Sequence, residues 1–300
     1  MCCLFGLVDC RRTLTAKQKS HMISALATAA EARGTDATGI AYNSGGKLRI
    51  YKRPWPGRFM RFRIPEDAAV IMGHTRMATQ GSARMSWNNH PFSGTAGGNS
   101  FALAHNGVLY NDKALRRDLA LPGTKIETDS YIAVQLLERE DALDFSSLRF
   151  MAEQVAGSFV FTVLDRNDTL YIVRGDNPLC LYYFPKQKLY LYASTEDILQ
   201  QALRRSRLPL GEHNRVPVDC GRILKITCTG GLARGAFDDS NLLAGLSWPR
   251  YPAQPAAGSY LDALKSVAAA FGYRPEDMDA LAAQGFSPEE LEEFLYCGEL

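Results

Sequence analysis

The chain has 300 residues, 46% of them hydrophobic, and a formal net charge of +2. That is enough apolar material for one large soluble domain with a small appendage, and the charge balance argues against nucleic acid and against a membrane surface. No apolar run reaches the ~20 residues of a membrane span, and no charged-then-apolar leader opens the chain. The seven cysteines form no CxxC pair and no zinc spacing, so a reduced, cytoplasmic setting is expected.

Leu4–Val8 is a short, nearly continuous apolar run, the pattern of a strand buried on both faces. Residues 15–33 have helical spacing, with Met22, Ala25, Leu26, Ala29 and Ala30 on one stripe and Gly34 as the stop. Strands are predicted at 39–43 and 47–52 around Ser44-Gly45-Gly46, a hairpin signal. Further strands are expected at 70–74 and 101–105, each running directly into polar residues. Between Thr79 and Asn99 the polar composition reads as a long loop, of the kind that usually carries function. Helices are predicted at 112–119, 130–139 and 145–155. Strands return at 158–164, 169–174, 179–184, 188–193 and 221–227. Tyr182, Phe184, Tyr190 and Tyr192 form an aromatic ladder, read as packing.

This order lacks the β-α alternation of a parallel sheet. It fits two stacked antiparallel sheets with helices outside each. The boundaries expected are a main domain over 2–240, a proline-rich linker over 241–257 and a small three-helix module over 258–300. In that module Leu261, Leu264, Val267, Ala268 and Phe271 share a stripe, Pro275 opens a second segment, and Ser287-Pro288-Glu289-Glu290 is a capping box.

Four segments carry candidate chemistry. Cys2, exposed as the first residue by removal of Met1, offers a thiol and a free α-amine on one carbon. The others are Arg33-Gly34-Thr35-Asp36-Ala37-Thr38-Gly39, Gly73-His74-Thr75-Arg76-Met77-Ala78-Thr79-Gln80-Gly81, and His105-Asn106-Gly107 followed by Thr128-Asp129-Ser130. Singly, each has a plainer reading: a small strand residue, a helix stop, a solvated strand end, a tight Asn-Gly turn, a helix cap. His74, His90 and His105 fit no common zinc signature, and no metal is expected.

Taken in order, with Asn89-His90-Pro91-Phe92 between them, these segments resemble the class II glutamine amidotransferase domain. It is an N-terminal nucleophile hydrolase domain, carried by glucosamine-6-phosphate synthase and amidophosphoribosyltransferase. The resemblance covers roughly residues 2–230. It implies an α+β, four-layer α/β/β/α sandwich. It also implies hydrolysis of the glutamine side-chain amide through a Cys2 thioester, without a cofactor. In the resemblance Asn106 and the Gly107 N–H form the oxyanion hole, Arg76 and Thr79 hold the α-carboxylate, and Asp129 holds the α-ammonium. Arg33, Gly34 and His105 support the site.

Two departures limit the carry-over. Met77 stands where the family has a tryptophan that helps gate ammonia passage, and Gln80 stands where it has histidine. Cys3 adds a second thiol, read as a bystander rather than a redox partner. No acceptor domain is recognisable after residue 230, so the expected partners are glutamine and a separate ammonia-accepting protein. The alternatives left open are hydrolysis of another γ-glutamyl amide and a non-catalytic binding or regulatory module on the same fold.

Overall fold

The computed structural model describes residues 2–242 and, beyond them, Leu261, 264–265, Ala268, 273–287, 290–291 and Phe294. The chain divides into two compact units, Met1–Leu246 and Ser247–Leu300.

The first unit is built on two antiparallel sheets. The larger contains β1 (Cys3–Asp9), β2 (Ala37–Ser44), β3 (Lys47–Arg53), β4 (Val70–Arg76), β9 (Cys180–Phe184), β10 (Leu189–Ala193) and β11 (Asn214–Arg215). Their order is β11-β9-β10-β1-β4-β2-β3, which puts β1 in the centre. The smaller contains β5 (Phe92–Ala96), β6 (Asn99–Leu109), β7 (Gly157–Leu164), β8 (Thr169–Arg174), β12 (Arg222–Thr227) and β13 (Leu232–Ala236), in the order β13-β12-β8-β7-β6-β5.

Strand alternation builds the layers. Cys3, Phe5 and Leu7 face a core shared with helices α1 (Ala16–Ala29) and α5 (Glu196–Ser206). Leu4 and Val8 face the other way, into the layer between the sheets, where they meet Ala102, Ala104, Val160 and Leu224. The smaller sheet sends Leu103, Phe159, Phe161 and Val163 outward to α3 (Tyr131–Glu140) and α4 (Phe145–Gln154). α2 (Asp112–Asp118) precedes them. The result is the expected four-layer sandwich, and β1 reads as continuously apolar because both its faces are covered.

Local signals act as expected in α1. Thr15 and Gln18 close a capping box at its start, and the stripe from Met22 to Ala30 is buried. Four expectations are corrected. The loop from Thr79 to Asn99 is shorter, because Phe92–Ala96 forms an edge strand. His105-Asn106-Gly107 lies inside β6 and makes no turn. The four aromatics do not form one ladder: Tyr182 and Phe184 face the helices, while Tyr190 and Tyr192 face the opposite sheet. Asp129 does not cap α3, whose N-cap Ser130 has no side-chain cap bond; its carboxylate is turned to the backbone of Leu109.

In the second unit α6 (Pro275–Ala283) has proline in its first turn. Ser287 and Glu290 make the reciprocal capping bonds, at 3.2 and 2.8 Å. Leu264, Ala268, Met278 and Leu291 are its buried apolar residues. The linker expectation and most of the third helix lie outside the described residues. No helix among the described residues is long and apolar enough to cross a membrane.

Candidate active site

β1 starts beside the C-terminal end of β4, with Cys3 opposite Thr75. Cys2 therefore lies next to the loop that leaves β4, and its thiol donates to the Met77 carbonyl at 3.5 Å. Burial pushes the Cys2 thiol up, only partly offset by this bond and by the Arg76 charge. The resting thiol is therefore neutral, and a nucleophilic role requires a base. Arg33 Nε donates to the Cys2 carbonyl at 3.0 Å. Gly34 packs against the next turn of the site: a Cβ there would lie 2.6–2.8 Å from Arg76 and Met77 backbone atoms. Asp36 completes this support. Its N–H donates to the Arg76 carbonyl at 2.9 Å, and its carboxylate accepts from Ala78 N–H at 2.7 Å.

Arg76 is almost fully buried. Nη1 donates to Asn89 Oδ1 at 2.8 Å, and Nη2 donates to the carbonyls of Gln80 and of Gly81, the latter at 2.9 Å. Three of its five N–H groups thus shape the loop, and burial lowers its pKa. The loop is pinned again by Asn88, which donates to the Glu127 carboxylate at 2.7 Å and accepts from Glu127 N–H at 2.9 Å.

The other sheet supplies the facing wall. Asp129 Oδ2 accepts from Leu109 N–H at 2.7 Å. Ser130 Oγ stands 3.3 Å from Asp129 Oδ1 and 2.8 Å from His105 Nδ1. His105 stacks on Phe161 at 4.6 Å, and its carbonyl accepts from His74 Nε2 at 2.9 Å. Burial holds His74 down to about 3 and lowers His105 and His90 as well. All three rings are neutral near pH 7. Both ring nitrogens of His90 are buried without a hydrogen-bond partner. Among the described residues no group of three His, Cys, Asp or Glu is arranged to hold a metal ion.

Gly107 has φ +147, and a Cβ there would fall 1.9 Å from the Ser158 carbonyl oxygen, so the position is closed to any other residue. Asn106 is buried; its amide donates to Ser194 Oγ at 3.4 Å, and its carbonyl accepts from Asn177 at 3.2 Å. Ser194 Oγ also accepts from Leu4 N–H at 2.9 Å.

One tight cleft is lined by Cys2, Arg76, Thr79, Gly107, His105 and Asp129, together with Met77, Gln80, His90, Thr128 and Ser130. Arg33 and Gly34 contact the backbone of its lining residues Cys2, Arg76 and Met77, and Asn106 precedes Gly107 in β6. The cleft holds a cavity of about 10 Å³, room for roughly one water. A larger cleft of about 490 Å³, between Lys47, Leu48, Ile50, Ser93, Ser100 and Arg166, contains none of these residues. Sequence reasoning missed Asp36 and Asn89, although both sit inside motifs it singled out. It also missed Ser194 and Asn177, for which no local signal exists.

Cys2 stands at the head of the central strand of a two-sheet sandwich and shares its cleft with Gly107 of the other sheet. Residues 74–201 match a family model described as a glutamine amidotransferase domain. The chain is 34% identical over 160 residues to glutamine–fructose-6-phosphate aminotransferase (isomerizing) of Streptococcus pyogenes, across 50% of this chain and 26% of that protein. It is 29% identical over 208 residues to amidophosphoribosyltransferase of Methanocaldococcus jannaschii, across 66% of this chain and 42% of that one. The glutamine phosphoribosylpyrophosphate amidotransferase of B. subtilis shares the fold, with a TM-score of 0.61 at 19% identity over 79% of this chain and 49% of that chain. Over residues 74–201 the chain is thus similar to glutamine amidotransferase domains, and it spans less than half the length of these relatives.

Proposed function

We propose that this domain hydrolyses the side-chain amide of glutamine to glutamate and ammonia through a thioester on Cys2. The observation that carries the reading is the charge layout of the cleft. The Cys2 thiol lies between a buried arginine, Arg76, and a buried carboxylate, Asp129. An α-amino acid presents the opposite charges at its two ends. Arg76 has N–H groups left for a carboxylate, aided by the Thr79 hydroxyl, and Asp129 has lone pairs left for an ammonium. Once Met1 is removed, the free α-amine of Cys2 titrates near ~8 and serves as the base for its own thiol.

The amine takes the thiol proton as sulfur attacks the amide carbon. The carbonyl oxygen becomes an oxyanion, stabilised by the Gly107 N–H and the Asn106 amide. Collapse expels ammonia, which leaves with the proton held by the amine. Water, deprotonated by the same amine, then opens the thioester to glutamate and restores the thiol. The small cavity requires the exposed Met77–Gln80 segment to move aside for glutamine. Ammonia passes to an acceptor on a separate protein. Cys3, whose buried thiol is pushed up to about 11, is a bystander. The free thiols of Cys2, Cys3, Cys10, Cys180, Cys220 and Cys228 support a reducing cytoplasmic compartment.

The test joins mass and activity. Purified protein lacking Met1 takes up one equivalent of a diazoketone analogue of glutamine, on Cys2, and releases ammonia from glutamine. Cys2→Ala does neither. Retained Met1 in an active protein overturns the α-amine mechanism. Ammonia released only from other γ-glutamyl amides overturns the choice of glutamine.

A further inference from the structure

We propose that Lys52 is a positioning residue for the substrate carboxylate: from the edge strand β3 it clamps the Asn89–Pro91 turn and thereby fixes the guanidinium of Arg76. The inference rests on the glutamine reading above.

An edge-strand lysine ordinarily carries its charge out to water. Lys52 turns inward instead. Its ammonium donates to the Asn89 carbonyl at 2.6 Å and to the Pro91 carbonyl at 3.0 Å, and it sits 5.3 Å from the Phe92 ring centroid. Two of its three donors are spent on one turn, and among the described residues no carboxylate pairs with it. Asn89 is the link to the site. Its backbone is held by Lys52, while its side chain accepts from Arg76 Nη1 at 2.8 Å and donates to the Ala83 carbonyl at 2.6 Å. The turn has no slack on its other side: a Cβ on Gly39 would lie 2.1 Å from the His90 carbonyl oxygen and 2.9 Å from Lys52 Cβ. If Lys52 releases the turn, Asn89 and the Arg76 guanidinium lose their fixed register, and with it the placement of the N–H groups left to donate to a carboxylate.

The clamp is also titratable. Burial alone lowers the Lys52 ammonium to about 8. The groups facing it are His90 in the turn and His74 behind, both held neutral, and Arg53, whose guanidinium turns to the Lys52 backbone carbonyl. As pH rises through about 8, the charge-assisted bonds weaken.

The experiment compares wild type, Lys52→Met and Lys52→Arg in steady-state glutamine hydrolysis from pH 6.5 to 9.5. For Lys52→Met we expect KM for glutamine to rise about tenfold at pH 7 with kcat within about twofold, the signature of lost ground-state binding. Lys52→Arg, which does not titrate here, restores KM and lacks the wild-type rise in KM between pH 7 and 9. Titration of glutamine's own ammonium is common to all three and cancels. Wild-type KM in Lys52→Met, or superimposable pH profiles of wild type and Lys52→Arg, overturns the proposal; the second comparison stands even if Lys52→Met does not fold. A wild type inactive on glutamine removes the functional reading, and this inference falls with it. An active wild type with an indifferent Lys52 removes this inference alone.

Discussion

Gly107→Ala tests the facing wall of the site most directly. The new Cβ would lie 1.9 Å from Ser158 O, 2.7 Å from Ser158 C and 2.8 Å from Asn177 Nδ2, on a backbone at φ +147. Two of these atoms belong to the backbone of β7, so no side chain can yield and the strands must separate. A strained φ costs about 1–3 kcal/mol, and overpacking a close-packed site costs about 1–3 more. At about 2–4 °C per kcal/mol for a domain of this size, the melting temperature should fall by roughly 4–24 °C. The backbone N–H of residue 107 moves with the strand, so kcat should fall by about 10²–10³, the usual cost of a lost oxyanion donor. Thermal unfolding and single-turnover glutamine hydrolysis measure the two effects. Gly123→Ala is the control, because a Cβ there meets nothing within 4 Å. A Gly107→Ala protein that melts with wild type, or that loses stability but keeps its kcat, would refute the geometry or the assigned role respectively.

Three more perturbations follow from the same contacts. Ser194→Ala strips the buried Leu4 N–H of its acceptor, costing about 1–3 kcal/mol in a urea titration. It also frees the Asn106 amide, for an expected drop in kcat of about tenfold; unchanged kcat would detach Ser194 from the chemistry. Asp129→Asn keeps an oxygen for Leu109 N–H but loses the charge. Removing one member of a buried charge pair costs about 2–5 kcal/mol, so KM for glutamine should rise by about 30-fold or more, and a wild-type KM would end the ammonium assignment. His74, held down to about 3, makes stability depend on pH. Its folded pKa lies below the ordinary value near ~6.5. The unfolded chain therefore takes up a proton below about 6.5, and the folded chain does not until about 3. Stability falls across that window by about 1.4 kcal/mol per pH unit. His74→Gln should flatten that slope in denaturant titrations, and an unaltered slope would show that His74 titrates freely.

The layers were legible because both sheets are covered on both faces, so β1, β4 and β7 announce themselves as apolar runs. The motifs were legible because their residue types are rare in combination. Of the edge strands only β3 was legible, through its hairpin signal. Phe92–Ala96 has only two large or apolar residues at its ends, and Leu232–Ala236 contains Arg and Gly; both are held by ladders to β6 and β12 rather than by their own composition. The plainer reading of His105-Asn106-Gly107 as a turn fails, because the glycine serves a close approach inside a strand. The supporting residues were invisible for a different reason. Ser194 meets Leu4 across 190 positions, Asn177 meets Asn106 across 71, and Lys52 meets Asn89 across 37. No local pattern encodes such pairs.

The placement of the site on the sandwich explains why these distant bonds matter. Cys2 and Arg76 belong to the larger sheet, at the start of β1 and the end of β4. Asn106 and Gly107 belong to β6 of the smaller sheet, and Asp129 is bonded to it at Leu109. In the proposed mechanism, nucleophile and carboxylate anchor therefore belong to one sheet, and oxyanion donors and ammonium anchor to the other. Their separation is set by the apolar layer between the sheets, where Leu4 and Ala104 lie side by side with Val160 and Tyr192. Two polar bonds cross that layer at the site: His74 Nε2 to the His105 carbonyl, and the Asn106 amide to Ser194, itself locked to Leu4 of β1. An apolar layer fixes spacing but slides easily along a pleat, whereas a directional bond fixes register. A reaction that needs a thiol within bonding distance of a carbon, and an oxyanion within about 3 Å of its donors, depends on register. His74 is neutral because burial in the dry layer between the sheets outweighs its bond to the His105 carbonyl, which by itself favours the charged ring, so its depressed pKa is a consequence of its place between two sheets and not a sign of acid–base work.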